Sequence, residues 1–209
     1  MADVSTIFET ERLVVRTLGP DDAGACFAIY GDPEVTRYVT TGGQAAPAVE
    51  TIKLQLEQGM LAPMADPRFG FWGMEGREDN NVVGTAALIP LDDAPSEFEL
   101  GWHLARPFWG QGYAFESGIG LLEYGFGDLG LDEILALAHP ENDRSIRACK
   151  RLGMTPRQPR MNQGYEHACF GATRDSWTAP SRHVASVCHP QEYAKGSGDR
   201  PGQRRGVDA

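Results

Sequence analysis

Gly110 and Gly112 stand one residue apart in the run from Arg106 to Ala114 (R-P-F-W-G-Q-G-Y-A), and an amphipathic segment follows at once. There Phe115, Ile119, Leu122 and Phe126 recur in steps of four, three and four, the period of one helical face. Residues 97–105, just upstream, are apolar-rich and read as a strand. The unit is therefore strand, short glycine turn and helix start. With no side chains at 110 and 112, backbone N–H groups point outward where the helix dipole favours negative charge, and a phosphate suits that position. No Gly-Lys-Ser/Thr follows, so this is not a Walker loop, and no third glycine completes a dinucleotide fingerprint. Two carboxylates, Glu97 and Glu99, precede the turn and alternate onto one side of the strand, away from Phe98, Leu100 and Trp102.

The elements that must hold this unit can be read in order. Residues 11–17 (E-R-L-V-V-R-T) have strand composition. Pro20-Asp21-Asp22 starts a helix that carries Ala23, Phe27 and Tyr30 on one face up to Gly31, and Asp32-Pro33 starts a short one through Val39. Residues 48–58 supply a third helix. Residues 68–74 and 82–91 read as strands joined through Asp79-Asn80-Asn81, an antiparallel hairpin. Residues 133–138 (E-I-L-A-L-A) are continuously apolar, as in a strand buried on both faces. With the helix after the glycine turn they complete a βαβ unit, right-handed in its crossover. His139-Pro140-Glu141-Asn142 leads into a helix over 143–152 stopped by Gly153, and residues 165–173 form a last strand.

Composition narrows the function. The chain has 209 residues, 41% of them hydrophobic, enough for one domain with a full core. A net charge of −10 argues against nucleic-acid binding, which needs a basic face. No apolar run approaches the roughly 20 residues of a membrane helix, and the polar, acidic start lacks a secretory leader. Cys26, Cys149, Cys169 and Cys188 are scattered, which predicts reduced thiols in a cytoplasmic protein and no zinc site. Beyond Trp177 large apolar residues are few, so residues 1–177 are expected to form the domain and 178–209 a disordered tail. His183, Cys188 and His189 in that tail are irregularly spaced, and no metal is expected.

Six short signatures fall in register along this order. They are Thr10-Glu11-Arg12-Leu13, Glu99-Leu100-Gly101-Trp102, the turn from Trp109 to Ala114, Asn142 with Ser145, Arg151-Leu152-Gly153-Met154, and Arg174-Asp175-Ser176-Trp177. As a set they resemble the GNAT superfamily of acetyl-CoA-dependent N-acetyltransferases, and more narrowly its RimJ/RimL-type branch of ribosomal-protein N-terminal acetyltransferases. The resemblance spans about residues 8–177. It implies an α+β GNAT fold: a mixed, mostly antiparallel sheet with a central splayed parallel strand pair and flanking helices.

The resemblance also implies roles. Gln111, Gly112, Tyr113 and Ala114 would hold the coenzyme A diphosphate, with Gly110 admitting close approach and Trp109 marking the branch. Backbone groups of Trp102, His103 and Leu104 would meet the acetyl carbonyl and the pantetheine amides. Asn142 would bond the pantetheine arm, and Arg147, with Arg144, would meet the 3′-phosphate. Glu99 would relay a proton through water or hold the cationic amine. Many family members carry a tyrosine seven residues after the Asn; Cys149 stands there, so Ser145 is the expected donor to the leaving sulfur. His103 and His139 flank the expected cleft, as scaffold or as base. The expected reaction is direct acetyl transfer in a ternary complex to a primary amine, either a protein N-terminus or a small molecule such as an aminoglycoside or polyamine. A homodimer is compatible with the resemblance. The rival reading is a non-catalytic acyl-CoA-sensing module, with intact glycines but dispensable Glu99 and Ser145.

Overall fold

The computed structural model describes residues 4–39, 43–58, 64, 66–162 and 164–180. The expected tail therefore lies, beyond residue 180, outside the described residues, together with His183, Cys188 and His189. Fourteen strands and α-helices follow in order: β1 (Thr6–Glu9), β2 (Leu13–Arg16), α1 (Ala23–Tyr30), α2 (Pro33–Thr36), α3 (Val49–Glu57), β3 (Gly70–Gly76), β4 (Val82–Leu91), β5 (Ala94–Leu104), α4 (Tyr113–Gly127), β6 (Glu133–Ala138), α5 (Asp143–Arg151), β7 (Thr155–Pro156), β8 (Arg160–Asn162) and β9 (Tyr165–Thr173). The strands join in the order β1-β2-β3-β4-β5-β6-β9-β7, with β8 pairing on β9. All the pairings are antiparallel except β5 with β6.

Alternation along the strands divides the residues between two faces. One face carries Leu88, Leu100, Ile134 and Phe170 and packs under α4, whose Ile119, Leu122 and Phe126 are buried there. Gly118, Gly120 and Gly125 in the interior of α4 lower its intrinsic helix propensity by about 1 kcal/mol each. Packing offsets this: a Cβ at Gly120 would lie 2.4 Å from the Phe8 ring, and one at Gly125 would lie 2.4 Å from Ile134 Cδ1. The helix lies flat on the sheet because those side chains are missing. α5 joins the same layer through Cys149 and Leu152.

The other face carries Thr85, Glu99, Gly101, His103, Leu135 and Leu137, with α1 across its central part. The Tyr30 hydroxyl at the end of α1 reaches Thr85 Oγ1 at 2.7 Å and His103 Nδ1 at 3.1 Å. The entry to α1 is fixed by Arg16, which bonds Asp22 at 2.8 Å and Glu75 at 2.5 Å.

The parallel pair decides where a site can form. Its ladder is one pair, Glu99 opposite Leu135. Beyond it β5 continues to Leu104 beside β4, and β6 continues to Ala138 beside β9. Beyond Glu99 and Leu135 no further ladder pair joins the two strands among the described residues, which leaves the β6-facing edge of residues 100–104 without a strand partner.

Candidate active site

Two left-handed glycines make the turn at one wall of the gap: Gly110 has φ of 77° and Gly112 of 88°. A residue with a Cβ is strained in that region. Gly112 is the N-cap of α4 and no side chain caps it. The first N–H to find a helical partner is that of Glu116, which donates to Gly112 O at 3.0 Å. The N–H groups of Gly112, Tyr113, Ala114 and Phe115 thus begin a 15-residue helix without an intrahelical acceptor. Unbonded donors together with the positive end of the helix dipole form an anion site. The space in front is open, since a Cβ at Gly110 would meet nothing within 4 Å. At Gly112 a Cβ would come 3.4 Å from Arg12 Nη2, so that side chain flanks the helix start.

Other parts of the turn are committed to holding it. The Trp109 N–H donates to Arg106 O at 3.1 Å, and its indole N–H donates to Leu104 O at 2.7 Å. The Gln111 side chain folds back to donate to Pro107 O at 2.7 Å. Neither side chain is directed at the anion position.

Register sorts the residues on β5. The Ala105 N–H donates to Val83 O at 3.1 Å. By alternation, His103 also directs its backbone groups at β4, while Trp102 and Leu104 direct theirs toward β6. Since that edge has no strand partner among the described residues, the Trp102 N–H and C=O and the Leu104 N–H line the gap. They are spaced to pair with an extended chain such as a pantetheine arm. His103 instead turns its ring under α1, where burial pushes its pKa down to about 4 and keeps it neutral.

Glu99 stands at the ladder pair of β5 and β6, half-buried on the α1 face. Burial, followed by the charges of Asp92 and Asp93 and against the pull of Arg160, pushes its pKa up to about 7. A carboxylate in that range is matched to proton transfer at neutral pH. Glu97, on the same side of β5 but more exposed, forms an ion pair with Arg160.

The opposite wall is the start of α5. Asn142 is its N-cap and accepts from the Ser145 N–H at 3.2 Å, which leaves its NH₂ as the group with donors to offer. The Ser145 hydroxyl reaches the Cys149 thiol one turn on, and burial pushes that thiol up to about 12. Arg144 lies 4.6 Å over the Trp109 ring and bridges the two walls. Arg147 extends toward solvent, 4.0 Å from Asp143. Of the two arginines, it is Arg144 that meets the turn. His139 sits at the end of β6, its ring 5.0 Å from that of Tyr38.

One further residue lies against the glycine turn. Arg12, in the turn between β1 and β2, donates to Gln111 O at 3.0 Å and to Glu116 Oε2 at 2.7 Å, and its guanidinium lies 4.5 Å over the Tyr113 ring. The only sequence signal was its place in Thr10-Glu11-Arg12-Leu13, since its partners lie about a hundred residues along the chain. Among the described residues no group of three or more His, Cys, Asp or Glu side chains is arranged to hold a metal, and no helix is long and apolar enough to cross a membrane.

A parallel junction of one pair beside an uncapped glycine-led helix sets an anion site next to an open strand edge, the arrangement of a protein that binds a phosphate-bearing molecule with an extended arm. Comparison with known proteins identifies the family. Residues 12–155 match the acetyltransferase (GNAT) domain family, and the chain belongs to that family. It is 31% identical over 147 residues to the uncharacterized N-acetyltransferase YoaA of Bacillus subtilis, covering 70% of this chain and 81% of that one. Among solved structures it is similar to a GNAT-family acetyltransferase from Bacillus anthracis, with a TM-score of 0.68, 21% identity, and coverage of 81% and 99% of the two chains. It is also similar to the RimL ribosomal alpha-N-protein acetyltransferase in complex with coenzyme A, with a TM-score of 0.64, 12% identity, and coverage of 79% and 98%. The protein is an acetyl-CoA-dependent acyltransferase of the GNAT family.

Proposed function

We propose that this chain acetylates a primary amine, on a protein N-terminus or a small molecule, by direct attack in a ternary complex and as a RimJ/RimL-type enzyme of the cytoplasm. The observation that carries the proposal is the uncapped start of α4 facing open space beside the gap between β5 and β6. RimL, a ribosomal alpha-N-protein acetyltransferase, shares the fold, and a protein N-terminus is one of the two acceptor classes that the proposal covers.

Acetyl-CoA supplies an activated thioester, so the protein's work is positioning, polarisation and proton management. The N–H groups of Gly112, Tyr113 and Ala114 hold the diphosphate. The outward edge of Trp102 and Leu104, with the Asn142 amide, holds the pantetheine arm and offers N–H donors to the carbonyl. The amine approaches from the α1 face, where Glu99 takes its proton directly or through one water. Ser145 turns from Cys149 to donate to the leaving sulfur. Arg144, with Arg147 further out, meets the 3′-phosphate.

A thiol-release assay with acetyl-CoA over a panel of N-terminal peptides, aminoglycosides and polyamines tests this. Turnover on at least one amine is expected. Coenzyme A binding without turnover on any of them would overturn the proposal.

A further inference from the structure

The contacts of Arg12 exceed what a surface arginine needs for stability. Its backbone N–H donates to Glu116 Oε1 at 2.7 Å, its Nε to Glu116 Oε2 at 2.7 Å, and its Nη1 to Gln111 O at 3.0 Å. Thr10 Oγ1 adds a third donor to Glu116, at 2.6 Å. Two consequences follow from elementary geometry. First, a trans peptide directs its C=O and its N–H oppositely. With the Gln111 carbonyl held by Arg12, the N–H of that same peptide, which belongs to Gly112, is turned away from Arg12 and toward the open side of the turn. Second, Glu116 sits in the first turn of α4, where a bare carboxylate would repel an incoming phosphate. Three donors on it, one of them charged, direct that carboxylate at the β1–β2 turn.

We propose that Arg12 is a positioning residue for diphosphate binding: through the Gln111 peptide it aims the Gly112 N–H, and through Glu116 it removes a competing negative charge. The inference rests on the function proposed above and adds to it a residue from the β1–β2 turn, apart in sequence from the glycine turn it supports. Arg12 acts through shape as much as charge, because one planar guanidinium spans a carboxylate and a carbonyl at once and a lysine ammonium does not. Its side chain is 43% exposed, so its loss leaves the core intact.

The test compares wild type, Arg12→Gln and Arg12→Lys in the full chain. Coenzyme A affinity is measured by calorimetry, and thiol release is measured from S-acetyl-pantetheine, a donor that lacks the diphosphate. Both variants are expected to weaken coenzyme A binding about tenfold or more, with little recovery in the lysine variant. They should leave S-acetyl-pantetheine turnover within about twofold and circular dichroism melting nearly unchanged. Equal losses with both donors would make Arg12 a general structural residue and overturn the inference, as would full coenzyme A affinity in Arg12→Gln. A wild-type chain with no affinity for coenzyme A would overturn the proposed function and this inference together.

Discussion

Glu99 is the residue whose environment departs furthest from its solution chemistry in a direction useful for catalysis. Its folded pKa, pushed up to about 7 mainly by burial, lies above the ordinary carboxylate value of 4.5. Between those two values the unfolded chain releases a proton that the folded chain keeps. Stability is therefore lost as pH rises through that window, and above it the ionised carboxylate is a net cost. Glu99→Gln removes the cost, so the variant should be more stable than wild type at pH 8 by about 2 kcal/mol and indistinguishable at pH 4, as read by denaturant melts. The same substitution should lower kcat about a hundredfold and abolish the rise of activity near neutral pH, with coenzyme A affinity unchanged. A variant with full activity would assign Glu99 to scaffold. Ser145→Ala should lower kcat about tenfold with unchanged coenzyme A affinity; unaltered turnover would confine Ser145 to its contact with Cys149.

α4 links packing to binding, and its glycines serve both. Gly112→Asp sets a carboxylate against the diphosphate position at a residue with φ of 88°, and should abolish coenzyme A binding in a filtration assay. Gly120→Val acts only through packing. Its Cβ would fall 2.4 Å from the Phe8 ring, so a loss of about 3 kcal/mol is expected in chemical denaturation. α4 and β6 could be read in the sequence because their periods are long and unbroken: one apolar stripe over four turns, and six successive strand residues. β1, β7 and β8 could not. β1 is four residues at the sheet edge with an irregular register between Thr6 and Phe8, β7 is two residues ending in Pro156, and β8 is three. They exist because neighbouring strands recruit them. The glycine turn was legible because its chemistry is local. Arg12 was not, because Glu116 lies 104 residues away and only the packed fold brings them together. Arg144 and Arg147 occupy similar exposed positions on α5, and the approach of that helix to Trp109 selects between them.

At the scale of the molecule, one sheet performs two tasks. Its antiparallel part, buried under α4 on one face and α1 on the other, forms a rigid floor. Its parallel junction among the described residues is the pair Glu99 and Leu135, and the proposed thioester arm continues the sheet from there. A ligand that joins both walls should stabilise the whole fold. At a hundred times its dissociation constant, coenzyme A should add about 2.7 kcal/mol of stability. That corresponds to a rise of roughly 5–10 °C in melting temperature for a domain of this size.

The central claim is that free amides at the start of α4 grip the diphosphate of coenzyme A. Titration calorimetry of wild type beside Gly112→Asp addresses it directly. The account predicts saturable one-to-one binding by the wild-type chain and none by the variant. Absence of heat with wild type, or equal affinity in both proteins, would contradict it.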